Sequence, residues 1–174
     1  SDTEGAEFNQ ADADGVSSFD ADGFTVGYTN SAAWNQNTTT YVGWSWKAGG
    51  SSNTSNIDGT GYSSASDAGL SGGNLTPTGA SISTTAGFGI IEYTGNGSAN
   101  QTIKHGLSSP PEFTIIKDRD TNSNNNQWQI SSSVIGDDYV YFTAAAFTGT
   151  AGVFPTSGDA TTLTIGRTGN VANN

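Results

Sequence analysis

The stretch Tyr41-Val42-Gly43-Trp44-Ser45-Trp46-Lys47-Ala48 alternates large apolar residues with small or polar ones at a period of two. In an extended chain this puts Val42, Trp44 and Trp46 on one face and Gly43, Ser45 and Lys47 on the other. Two indoles and a valine facing one way predict a half-buried antiparallel strand over a core, with both tryptophans as structural core residues. The same reading extends outward to Phe24–Tyr28, Gly87–Tyr93, Phe113–Lys117, Gln127–Ser131, Asp138–Thr143 and Thr162–Arg167. Each is short, β-branched or aromatic, and bounded by Gly, Asn, Asp or Pro. The one helix-permissive piece, Ala144-Ala145-Ala146-Phe147, is too short to overcome the cost of helix nucleation. The expected fold class is therefore all-β, an antiparallel β-sandwich or jelly-roll-like domain with long polar loops.

Composition narrows the function. The chain has 174 residues with 16 Asp+Glu against 5 Lys+Arg, a net charge of -11, and hydrophobic residues at only 33%. That length suits about one domain, with a thin core diluted by Gly, Ser, Thr and Asn. The negative field repels phosphate backbones, and only Lys117 and Arg119 among the basic residues lie close together, so no nucleic-acid partner is expected. No apolar run approaches the length of a membrane span, so no membrane insertion is expected either. The absence of cysteine excludes disulfides, zinc-thiolate sites and thiol catalysis. The chain starts at Ser1 and has no methionine, which reads as a fragment of a longer chain.

Along the chain, residues 1–18 form an acidic N-terminal segment and residues 19–174 the β-domain. Gly95-Asn96-Gly97 and Asn122–Asn126 tolerate positive φ and mark hairpins or tight corners. Residues 49–86 are dominated by Gly, Ser, Thr, Asn and Asp, with only Ile57, Tyr62, Leu70, Leu75 and Ile82 scattered among them. This stretch is expected to be a long loop that buries little surface unaided. A weak repeat lays Phe24-Thr25-Val26-Gly27-Tyr28-Thr29 over Leu163-Thr164-Ile165-Gly166-Arg167-Thr168, each preceded by an acidic turn. The first copy leads into the Trp-rich stretch while the second ends at Asn174, so a closing strand is expected either from a longer chain of which this is a fragment or from another subunit.

Three pieces carry a resemblance: FDADGFTVGY (Phe19–Tyr28), YVGWSWKAGG (Tyr41–Gly50) and GFGIIEYTGNGSANQTIKHGLSSPPEFTIIKDRD (Gly87–Asp120). Together they resemble an uncharacterised domain that recurs in structural proteins of marine bacteriophages and prophages, commonly near the C-terminus of tail-fibre-like virion proteins. The resemblance covers about residues 19–174. It implies a non-enzymatic role at the virion surface, hence an extracellular setting, in a tail fibre, spike, capsid fibre or capsid decoration. It also implies a homo-oligomer, most simply a trimer, with other virion proteins and a host-surface glycan as partners. Two departures stand out: Ser51–Ala86 is longer than in that domain, and the strand that usually follows its last polar loop is missing. The resemblance supplies no catalytic residues.

Candidate sites follow from the residues themselves. The duplicated Asp-x-Asp-Gly at Asp12, Asp14, Asp20 and Asp22 offers oxygen ligands to calcium, the one cofactor the chain suggests, although Asp and Gly also simply make turns. It lacks the closing glutamate of an EF-hand. The only histidine, His105, lies in His105-Gly106-Leu107 before Pro110 and Pro111, with no Gly-x-Ser-x-Gly elbow to supply a nucleophile. His105, Gly106 and Pro110 therefore read as structural corner residues. Glu92, Glu112, Asp137 and Asp138 are candidates for a glycosidase pair, but flank apolar strands or turns, which favours surface positions. Trp34, Tyr62 and Trp128, with Tyr139 and Tyr141, offer flat faces to sugar rings. That would make the chain a carbohydrate-binding, lectin-like adhesion module with Trp34 and residues 49–86 as its surface, although burial in a core or subunit interface is the commoner fate of a tryptophan. The five Asn-x-Ser/Thr patterns, at Asn37, Asn53, Asn74, Asn96 and Asn100, are expected by chance in so Asn- and Thr-rich a chain.

Overall fold

The computed structural model describes residues 15–27, 37–51, 53–119, 128–134, 140–141 and 159–165. Among these there is no helix, and the fold is all-β. Two compact units divide the chain at Ser45/Trp46, inside the stretch expected to be a single strand.

The unit Glu7–Ser45 contains β1 (Gly15–Phe19) and β2 (Phe24–Gly27), an antiparallel pair whose register slips between Val16 and Ser18. Asp20 N–H donates to Gly23 O at 2.9 Å and closes the turn between them. The Phe24 ring lies so close to Gly43 that a Cβ there would stand 3.1 Å from Cζ.

The second unit, from Trp46 onward, holds β3 (Ser55–Ile57), β4 (Thr60–Tyr62), β5 (Gly79–Ser83), β6 (Phe88–Glu92), β7 (Gln101–Lys104), β8 (Phe113–Ile116), β9 (Gln129–Ser132), β10 (Val140–Tyr141) and β11 (Thr162–Ile165). They form a four-stranded sheet ordered β4-β3-β5-β6, a three-stranded sheet β10-β9-β8 and a pair β11-β7. All pairings are antiparallel except β3 with β5. The apolar segments around Phe24, Gly87, Phe113, Gln127, Asp138 and Thr162 each contain a strand, as their composition predicts. Gly95–Gly97 forms a corner, since β6 and β7 lie in different sheets, whereas residues 122–126 and 144–147 fall outside the described residues.

Two expectations are corrected. Residues 41–50 form no strand, and Val42, Trp44 and Trp46 are 75%, 71% and 62% exposed. Alternation states which side chains share a face if a ladder forms, but it provides no ladder partner. Residues 49–86, expected to be a loop with no core of its own, instead contain β3, β4 and β5 and the cluster Ala65, Leu70, Ala80 and Ile82, with Ile57, Ala68 and Leu107 packed against it.

Polar side chains and glycines make this possible. Asp58 and Gly59 both take positive φ, 49° and 83°, and join β3 to β4 by a two-residue hairpin in which Ile57 faces Thr60. Ser64 and Asp67 wind the next turn: Ser64 Oγ accepts from Asp67 N–H at 3.0 Å, and Leu70 N–H reaches Ala65 O at 2.8 Å, which directs Ala65 and Leu70 inward. On the opposite face of the sheet Gly49 N–H donates to Ser81 Oγ at 3.0 Å while that hydroxyl donates to Asn56 Oδ1 at 2.9 Å. A Cβ on Gly49 would stand 1.9 Å from Asn56 Oδ1, so only glycine lets the backbone approach this closely.

A second core cluster, Leu75, Ile103 and Ile165 with Ile91, Tyr93, Ile116 and Leu163, joins β6, β7, β8 and β11. Strands of three sheets thus share it. Asn74 and Thr102 fasten it: Asn74 Oδ1 accepts from both Thr102 N–H and Thr102 Oγ1, and Leu75 N–H donates to Thr102 O at 2.9 Å.

Candidate functional site

His105 follows β7 and is 2% exposed. Its Nδ1 accepts the Leu107 N–H at 3.0 Å, so the ring proton belongs on Nε2, which faces Asp159 O at 3.3 Å. Both nitrogens are thereby engaged with backbone. His105 N–H also donates to Thr161 O at 3.2 Å, which ties the end of β7 to the turn before β11.

That turn is built on Asp159. Its Oδ1 accepts from Thr161 N–H at 2.7 Å, Thr161 Oγ1 at 2.9 Å and Thr162 N–H at 2.6 Å. These bonds, led by the Thr161 amide, hold the carboxyl down at about 2 from its ordinary 3.8. The repeat seen in the sequence has a structural counterpart here. Asp159 N–H donates to Thr162 O at 2.9 Å, as Asp20 N–H does to Gly23 O, and both turns lead into a strand.

Gly106 has φ +68°, and a Cβ on it would meet Ile82 Cδ1 at 2.5 Å and Leu70 Cδ2 at 2.9 Å. The corner therefore rests directly on the first core cluster. Pro110 is exposed in the run leading to β8. Asp58 and Asp67 are likewise committed to turns, and their carboxyls are lowered by the hydroxyls of Thr84 and of Ser63 and Ser64 respectively. Burial pushes the Tyr93 phenol well above its usual range.

The expected ligand residues fall only partly within the described residues. Asp12, Asp14, Trp34, Asp137, Asp138 and Tyr139 lie outside the described residues, as does the side chain of Tyr141. Asp20 accepts from Ser18 Oγ at 3.0 Å and Thr25 Oγ1 at 2.9 Å, and Asp22 is exposed. Among the described residues no three His, Cys, Asp or Glu side chains gather where they could hold a metal. Tyr62 is half-buried on β4 and Trp128 half-buried before β9, in different sheets. Glu112 is exposed, and Glu92, at the end of β6, pairs with Arg119.

Trp46, read as core, is instead the aromatic that the structure presents. Its ring stacks on Phe88 with centroids 5.6 Å apart and planes 10° from parallel. Period-two alternation could not reveal this contact, because its two partners are far apart in sequence.

The fold and these residues define an all-β module whose histidine and several carboxylates are engaged in turns and strand junctions. The chain belongs to the family described as Domain of unknown function (DUF7483), which matches it over residues 1–174. No curated protein and no solved structure matches it.

Proposed function

We propose that this chain is a non-enzymatic structural module of a bacteriophage virion surface, part of a tail fibre, spike or capsid fibre, contributing to assembly and host attachment. The observation that supports the non-enzymatic part of the reading is His105, whose ring nitrogens both engage backbone groups. The group best suited to acid–base chemistry at neutral pH is thus engaged as a structural tie. The resemblance of Phe19–Tyr28, Tyr41–Gly50 and Gly87–Asp120 to virion structural proteins points the same way. The outer edge of β6, which has a strand neighbour on one side only among the described residues, suits assembly with further copies.

The test is immunogold electron microscopy of purified particles whose genome encodes the chain. Label on a surface appendage is the expected result. Particles that carry none of the chain by both labelling and mass spectrometry would overturn the reading. Light scattering over a range of concentrations, with and without calcium, tests the expected trimer; a monomer throughout would exclude it.

A further inference from the structure

We infer that the outer row of β6, with Trp46 at one end and the Glu92–Arg119 pair at the other, is a binding site for neutral hexopyranose glycans. The inference rests on the attachment role proposed above and gives it a site and a ligand class. Side chains two apart on a strand share a face, so Phe88, Ile90 and Glu92 form one row of roughly 13 Å. Trp46 stacks on Phe88 at one end, and Glu92 and Arg119 form an ion pair at the other. Ile90, between them, is 56% exposed, and Trp46 is 62% exposed although Phe88 covers one face of its ring.

The exposed indole, the Phe88 ring it stacks on and the exposed Ile90 two residues along the strand make an apolar patch rather than a lone surface residue. One face of the ring is already seated on a neighbour. Phe88 supports it from below, and three residues along the chain Gly49 is fixed to Ser81 Oγ and takes the Gly59 N–H. An aromatic side chain already stacked on a neighbour loses less conformational freedom on binding than a free one. Its flat apolar surface suits the C–H face of a pyranose ring, while a carboxylate and a guanidinium, each half-exposed, suit vicinal hydroxyls as acceptor and donor. Charge selects among glycans. A chain of net charge -11 repels uronate- or phosphate-bearing polymers, whereas the apolar row with its matched ion pair accepts a neutral one.

The experiment is a glycan array followed by titration calorimetry on the purified chain, using neutral glucans, mannans and galactans beside acidic polymers. At least one neutral glycan should bind, and Trp46→Ala should weaken it about tenfold or more, equivalent to the loss of one good aromatic contact. Trp46→Phe should retain part of the affinity. No binding across the neutral panel, binding of acidic polymers alone, or an unchanged affinity in Trp46→Ala would each overturn the inference. If Trp46→Ala does not melt cooperatively, Ile90→Glu replaces it, with loss of binding expected and unchanged binding decisive against. Labelled particles together with a negative panel would sink the glycan site and leave the virion role standing; unlabelled particles with glycan binding would do the reverse.

Discussion

Tyr41–Lys47 and Gly49–Ala86 exchange the parts their compositions suggest. The first has two tryptophans, a tyrosine and a valine in alternation, yet forms no strand and leaves its aromatics exposed. The second is polar and rich in glycine, yet supplies three strands and most of one core cluster. Apolar content gives the reward for burial, but order also needs backbone partners and turns that place the few apolar groups together. The polar segment has these in abundance. Its turns at Asp58-Gly59 and Ser64–Leu70 are closed by their own side chains and glycines, so Leu70 and Ile82 suffice to fill a small core.

The comparison breaks most readily at that core. Ile82 is 0% exposed and Leu70 2%. Ile82→Ala and Leu70→Ala should each cost about 2–5 kcal/mol in denaturant unfolding. If both variants melt with the wild type, the polar segment is not the core. Gly106→Ala comes next. A left-handed alanine adds about 1–2 kcal/mol of backbone strain, and overpacking against Ile82 and Leu70 adds about 1–3 kcal/mol more. A Tm equal to wild type would contradict the close approach at that corner.

The tryptophans sharpen the contrast from the other side. Trp46→Ala should lose the Phe88 stack, about 0.5–1.5 kcal/mol, and Trp44→Ala should fall within about 0.5 kcal/mol of wild type. Losses of about 3–5 kcal/mol at both positions, as for buried aromatics, would restore the buried strand instead.

The smallest effect is on pH. The Asp159 carboxyl titrates lower in the fold than in the unfolded chain, so its contribution is present above about pH 4 and fades as pH falls toward 2. Thermal melts of wild type and Asp159→Ala should therefore differ at pH 7 and converge near pH 2. A gap that persists there would assign the stability to some other feature of the turn.

The strands that could be read from sequence are those whose side chains do the work. Phe113–Ile116 and Phe88–Glu92 are β-branched and aromatic, and their positions are plain. Ser55–Ile57 and Gly79–Ser83 are not, because each has one large apolar side chain, Ile57 or Ile82, among Ser, Asn, Gly and Ala, and the ladders and Ser–Asn hydrogen bonds that complete them leave no mark in hydrophobic periodicity. One local sign is present: Asp58-Gly59 is a strong two-residue hairpin signal, and it forms the β3–β4 turn. For the site, the sequence marks the His105-Gly106 stretch only by its unique histidine and the prolines that follow. Its partner, Asp159, lies 54 residues away and could not be inferred from local pattern.

The parallel pairing of β3 with β5 orders events in time. The β3–β4 and β5–β6 hairpins close over short turns, and such hairpins form within about 1–10 μs. The seam between them joins residues about 25 apart and must wait for that longer loop to close. Two quick halves are thus welded late, and the weld is the first place the sheet should part. Asp58 and Ala80, whose N–H groups donate across the seam to Ile82 O and Thr54 O, are the amides where hydrogen exchange would record its opening. Exchange there no faster than within the hairpins would mean that the sheet opens as one body.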